Sequence, residues 1–220
     1  TGAPAARPSI VVTPEQLEML RDWVFQEGGG LLMCAGDVYT KNLAVAMGDE
    51  LQAIRDMCPV VLQPLGTRVT GGSADQAWPM GLTAEGQIAD FLKLSNDPIE
   101  AARIWTEFKG VFASHPIQAR KAGCTVYIEF TDPFSRGNAG QPALLSGQRY
   151  GQGNSFFLGT SEIWRLRSMG EEYYNEFWTK LTRKMAEGRS RRGQQRAMFI
   201  LEGNEVTLGQ TVPVRARVLS

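Results

Sequence analysis

Histidine is almost missing from this chain of 220 residues; there is one, His115. Cysteine is scarce too: Cys34, Cys58 and Cys124 lie far apart and none is in C-x-x-C spacing. With so few soft or imidazole ligands, a zinc site of the usual kind has almost no residues to draw on, and no metal or cofactor is expected. An odd cysteine count argues against a disulfide framework, and the plainest reading of all three is buried free thiols. Net charge is also lacking: 23 basic residues balance 23 acidic ones. Nothing global therefore pulls the chain toward nucleic acid, and no nucleic-acid partner is expected. No apolar run approaches the ~20 residues that span a bilayer. The opening TGAPAARPS has neither the charged start nor the apolar stretch of a signal peptide, and reads as a linker or a cut end.

What remains is globular. Hydrophobic residues make up 43% and charged residues 21%, the balance of a domain that buries a core. Thr13, Pro14 and Gln16 form the start signal of a helix, with Leu17, Leu20 and Val24 on one face and Gly28-Gly29-Gly30 ending it. Leu31-Leu32-Met33-Cys34-Ala35 follows as a strand buried on both faces, as a parallel sheet needs. Helix, glycine turn and buried strand make an α/β unit. Those glycines precede a strand, whereas phosphate loops follow one, so they are not a phosphate cradle.

Further on, residues 42–57 read as partly helical and 59–62 as a short strand. Residues 64–81 read as loop, for their Gly and Pro. Asp97-Pro98-Ile99-Glu100 reads as a capping box opening a helix to about Phe108. Residues 124–130 alternate as a strand, 131–142 are loop, and 143–146 with 155–158 flank Tyr150-Gly151-Gln152-Gly153 as a hairpin. Glu171–Glu187 is an amphipathic helix burying Tyr174, Phe177, Trp178, Leu181 and Met185, with Gly188 as its cap. The basic run at 188–196 reads as a solvated helix end and linker, or else as a contact for anionic lipid. Two strands, 198–201 and 212–218, close the chain, too few for a domain of their own. The division expected is 1–190 for the α/β domain, with 1–12 a linker, and 191–220 for a linker and the first strands of a β-sandwich-like segment.

Two segments carry a resemblance. The first runs from Leu20-Arg21-Asp22-Trp23-Val24 through Gly28-Gly29-Gly30-Leu31-Leu32-Met33 to Gly36. The second runs from Tyr150-Gly151-Gln152-Gly153 through Phe156-Phe157-Leu158-Gly159-Thr160-Ser161-Glu162-Ile163-Trp164-Arg165-Leu166-Arg167 to Tyr173 and Phe177-Trp178. Leu82-Thr83-Ala84-Glu85-Gly86 and Trp105 fall between them in order. Together they resemble the class I glutamine amidotransferase-like domain of large planctomycete-type membrane proteins, which often also carry a von Willebrand factor A domain. The likeness spans roughly residues 13–187. It implies a flavodoxin-like parallel sheet flanked by helices, a multidomain bacterial setting with membrane association outside this chain, and a β segment at the C-terminus. It also implies one or two strand–helix units ahead of the first helix; this chain has none there, so it reads as a fragment, or those strands come from elsewhere.

A glutaminase of this class needs a cysteine on a sharp strand-to-helix turn, a histidine base and a glutamate that orients it. Cys34 and Gly36 match the G-x-C-x-G elbow, with Leu32 in place of its first glycine. His115-Pro116-Ile117 has Ile where the resemblance calls for Glu. It also comes before the strand at 124–130, not on the turn ahead of the last helix. That turn, Gly159-Thr160-Ser161-Glu162, carries no histidine. Without a base a thiol of pKa ~8.5 is only a few per cent ionised at pH 7. Cys34 is thus either a weakly supported nucleophile or a core thiol at the sheet's edge. Trp164-Arg165-x-Arg167 reads in two ways. The arginines face the crevice at the strand ends and bind an anion or an acidic partner, or Trp164 packs the last helix while Arg165 and Arg167 pair with Glu162, Glu171 or Glu172.

Three functions stay open. One is a non-catalytic amidotransferase-like module for interaction or assembly with other domains or protein partners. Another is a hydrolase or amidotransferase using Cys34 with a base from outside the chain. The third is a small-ligand sensor at Gly36, Asp37 and Arg165. A buried Cys34 and an apolar surface patch suit the first, an exposed Cys34 beside a base the second, and a formed pocket at the strand ends the third.

Overall fold

The computed structural model describes residues 12–36, 40–45, 51–63, 69–70, 76–136, 140–194, 197–201 and 214–218. Helix α1 (Pro14–Phe25) leads into strand β1 (Gly30–Cys34). Helices α2 (Thr40–Val45) and α3 (Gln52–Met57) precede strands β2 (Val60–Leu62), β3 (Val69–Thr70) and β4 (Met80–Leu82). Helices α4 (Ala84–Ile88) and α5 (Pro98–Glu107) come next, then β5 (Ala113–Ser114), β6 (Ile117–Arg120) and β7 (Thr125–Phe130). The hairpin β8 (Ala143–Tyr150) and β9 (Gly153–Leu158) is followed by a 3-10 helix, Ile163–Ser168, and the long helix α6 (Glu171–Gln194). Strands β10 (Ala197–Leu201) and β11 (Val214–Val218) form an antiparallel ribbon.

The fold is α/β, with a mixed five-stranded sheet in the order β1-β9-β8-β7-β4. Only β1 and β9 run parallel; β9–β8, β8–β7 and β7–β4 are antiparallel. The parallel sheet expected from the sequence is therefore corrected to a mixed one. Strands joined by a tight turn, as β8 and β9 are, must run antiparallel, since a parallel pair needs a long crossover. The second correction concerns β1. It is an edge strand, half-buried along Gly30–Met33 and exposed at Cys34, not buried on both faces.

One face of the sheet carries the main core, where Ile128, Phe130, Phe156 and Leu158 meet Ile104 and Phe108 of the α5 segment and Phe177 and Leu181 of α6. Phe177 and Leu181 have no solvent exposure, and each such side chain contributes roughly 1.5–3 kcal/mol by leaving water. A second core gathers Ala35, Cys58, Val60, Leu62 and Phe157.

The α1 start is as the sequence predicts: the Thr13 hydroxyl accepts the Gln16 amide and the Gln16 side chain accepts the Thr13 amide. The second capping box is half made. Asp97 accepts the Ile99 amide at 2.9 Å, but Glu100 turns to Arg103 at 2.7 Å and to the Tyr173 hydroxyl at 2.6 Å. Part of the stretch read as loop, Met80–Leu82, is the far edge strand of the sheet. The strand at 59–62 pairs with β6 in a separate ribbon. Helix α6 does not stop at Gly188 but continues to Gln194. No described helix is long and apolar enough to cross a membrane.

Candidate functional site

Strands β1 and β9 end side by side, with Cys34 opposite Leu158 and the Ala35 amide donating to the Leu158 carbonyl at 2.8 Å. In an open α/β sheet the carboxyl ends of parallel strands are where ligands bind. The residues there come from three segments. β1 supplies Cys34, Ala35 and Gly36, and the Gly36 amide donates to the Thr40 hydroxyl at 2.8 Å. The turn after β9 supplies Gly159–Glu162. The residues around β5 supply Phe112, Ser114 and His115, since the His115 amide donates to the Gly159 carbonyl at 2.6 Å.

That last contact was not foreseen. His115 lies far from the turn in sequence, yet the fold sets it against Gly159, in the turn where the amidotransferase resemblance places a histidine. It is buried, at 6% exposure, and its Nε2 has no hydrogen-bond partner among the described residues. Burial pushes its pKa below the ordinary imidazole value, so it stands neutral at neutral pH. With Ala35, Gly36, Ala113 and Gly159–Ser161 it lines a cavity of about 10 Å³. That is room for one water and no more.

Cys34 corrects one expectation: it is solvent-exposed, not a core thiol. The reason is its place, the last residue of an edge strand. The atoms packed around it still push the thiol above the usual value, and burial is the only cause. Among the described residues no charged or basic group lowers it, and burial is likewise what lowers His115. A thiol raised by burial and unassisted by a base is a poor nucleophile at neutral pH.

Glu162 is buried at 7% and holds the turn together. Its Oε2 accepts the Phe112 amide at 2.9 Å and the Arg165 Nε at 3.0 Å, while its own amide donates to the Thr160 hydroxyl at 3.1 Å. The Arg165 guanidinium lies 4.4 Å from the Phe112 ring centre and 4.6 Å from that of Trp164. Arg167 pairs with Glu171 at 3.1 Å and lies 4.0 Å from the Tyr174 ring centre. Both arginines thus have the acidic partners the sequence offered as one of two readings. Trp164 does not pack α6 on the sheet; it is 49% exposed, because the 3-10 turn directs Ile163 and Leu166 inward instead. Asp37 lies outside the described residues. Among the described residues no three His, Cys, Asp or Glu side chains converge as metal ligands.

Comparison with known proteins adds no relative. No family model, curated protein or solved structure matches the chain.

Proposed function

We propose that this chain is a non-catalytic glutamine amidotransferase-like domain of flavodoxin-like descent. In this reading it serves interaction or assembly within a larger bacterial protein that reaches the membrane through other regions. The fold reading is supported by the motif order together with the parallel β1–β9 pair and the helix α6 that packs on it. The observation that carries the functional reading is the chemistry at Cys34. Burial raises its thiol, and the chain's one histidine, His115, is a buried imidazole that burial keeps neutral. The two arginines that could have gripped an anion are each engaged by a carboxylate of the same chain. The cavity at the strand ends has room for one water only, which leaves little support for a small-ligand sensor there.

Exposed apolar side chains suit an interaction role. Met19 and Trp23 stand four residues apart on α1, at 71% and 37% exposure, so they lie on one face of the helix.

One observation favours a second reading, a cysteine hydrolase completed from outside the chain: solvent reaches Cys34. Treating the purified chain with a glutamine-analogue electrophile and with a general thiol reagent, then mapping adducts by mass spectrometry, separates the two. The non-catalytic reading expects slow labelling of Cys34 by the general reagent, rising with pH, and no preference for the analogue. Fast, analogue-selective labelling at neutral pH overturns it.

A further inference from the structure

Among the described residues, the outer side of strand β4 is half used. The Thr83 amide donates to the Tyr127 carbonyl at 3.1 Å, in register with Leu82 opposite Ile128. Residues of an antiparallel strand alternate between bonding to the neighbour and pointing away from it. Gly81 and Thr83 therefore bond toward β7, and Met80 and Leu82 turn their amides and carbonyls outward. Trp78 continues the alternation, and its outward groups are paired: the amide donates to the Val111 carbonyl at 2.8 Å and the carbonyl accepts the Val111 amide at 3.0 Å. The chain thus starts a sixth strand on this edge and leaves it after one residue. Gly110, at φ +91°, brings the chain from the end of α5 onto the edge at Val111, and a Cβ there would lie 1.7 Å from the Trp78 carbonyl oxygen.

Past that point α5 stands off from β4, and a groove of about 620 Å³ opens between them. Met80 and Leu82 form one wall, Ala101 and Ala102 of α5 the other, with Leu92 and Trp105 between. The alanines leave the width. The Trp105 indole N–H is already bonded to the Leu92 carbonyl at 2.7 Å, so it asks nothing of an occupant. Among the described residues the lining has one charged side chain, Lys93, and its ammonium is held by Asp90 at 2.6 Å. Gln87 and Asn96 add amides that have no partner among the described residues, and a side-chain amide offers both a donor and an acceptor to a passing peptide group.

We infer that this groove takes an extended, uncharged segment of a partner polypeptide, added as a strand to β4 through the outward groups of Met80 and Leu82. Two features select that occupant. The pairing already begun by Val111 gives the edge and the alternation for a strand to continue, and the internally neutralised lining makes a charged segment costly to bury. About three residues, at ~3.3 Å each, cover the open edge, and alternate side chains enter the groove. The inference rests on the interaction reading and names its surface.

The test uses the whole 220-residue chain. Heptapeptides are selected on it from a random displayed library, and the tightest is made with blocked ends and a fluorophore for anisotropy titration. Two variants accompany the wild type. Leu82→Pro removes one outward amide that β7 does not use, at an edge position where proline is tolerated. Ala102→Trp fills the groove from an exposed helix position. Both are expected to weaken binding by roughly tenfold or more, about the loss of one buried hydrogen bond or of the groove's space, with melting temperatures near wild type. If Ala102→Trp alone weakens binding, the occupant does not pair with β4 and strand addition is overturned. If neither does, or no peptide is selected, the groove is overturned as a site. Because Leu82→Pro also takes a side chain from the groove wall, N-methylation of alternate peptide residues decides on the wild-type chain: loss in one alternate set only supports pairing, and equal effects in both sets overturn it. None of these outcomes involves Cys34, so a rejected groove leaves the non-catalytic reading to the labelling experiment.

Discussion

His115 is the residue whose environment makes the clearest demand. It is 6% exposed, its Nε2 has no partner among the described residues, and burial lowers its pKa. The unfolded chain, with an ordinary imidazole near pH ~6.5, therefore takes up a proton before the folded chain does. The stability contributed by keeping this ring neutral is complete above the unfolded value and is lost as pH falls through the folded one. Thermal melts of the wild type between pH 7.5 and pH 5.5 should show a falling midpoint below about pH 6.5. A His115→Gln variant should be flatter over that range, even if less stable at pH 7.5. Parallel curves for the two would mean the imidazole binds its proton as readily in the fold as in the unfolded chain. Glu100 behaves oppositely in origin but alike in direction. Arg103, and then the Tyr173 hydroxyl, hold its carboxyl at about 2. Its contribution is present above the ordinary carboxylate value and disappears only as pH falls toward that figure. Melts of Glu100→Gln against wild type should converge as the pH drops from 5 to 2.

At the scale of elements, Gly188 separates two kinds of glycine. Read from sequence it caps α6; in the structure it lies inside the helix, which runs to Gln194. An added Cβ would sit 2.4 Å from the Gln152 carbonyl oxygen and 2.7 Å from that of Gly28. The glycine lets α6 lie directly on the β8–β9 turn and on the end of α1. Alanine in an exposed helix interior stabilises by up to ~1 kcal/mol over glycine. Here Gly188→Ala should instead destabilise by about 1–3 kcal/mol, the cost of overpacking against backbone that cannot yield, measurable by urea denaturation. A stabilised variant would mean the helix can lift off the turn. The same example shows what sequence conveys at this scale. Caps and periodicities are local, so α1, α5, β7 and the β8–β9 hairpin were all legible. A close approach between distant backbones leaves no local mark. Strand β4 was missed for a similar reason: Pro79 and Gly81 make Trp78–Leu82 look like a loop, and only its partner β7 makes it a strand. The candidate site was legible in part. Glu162 and Arg165 could be paired from their spacing, but nothing in the sequence brings His115 to Gly159.

For the whole molecule, the mixed sheet sets a hierarchy of stability. Strands β8 and β9 lie between neighbours on both sides, and their residues Leu144, Leu145, Phe157 and Leu158 are almost wholly out of solvent. Their amides can exchange with solvent hydrogen only when the domain unfolds as a unit. Strands β1 and β4 have one neighbour each within the sheet, and the alternation along β4 makes a finer forecast. The amides of Gly81 and Thr83 bond toward β7, while that of Leu82 points at the groove. In native-state hydrogen exchange followed by NMR, Leu82 should exchange faster than both flanking residues by at least roughly a hundredfold. Three consecutive residues along this sheet edge share nearly the same local opening, so such a contrast can come only from the direction of each amide. Equal protection at all three would mean the outer edge of β4 is already paired in solution, by the chain itself or by a second copy. Dilution then distinguishes those two, since protection supplied by a second copy falls with protein concentration and protection supplied by the same chain does not.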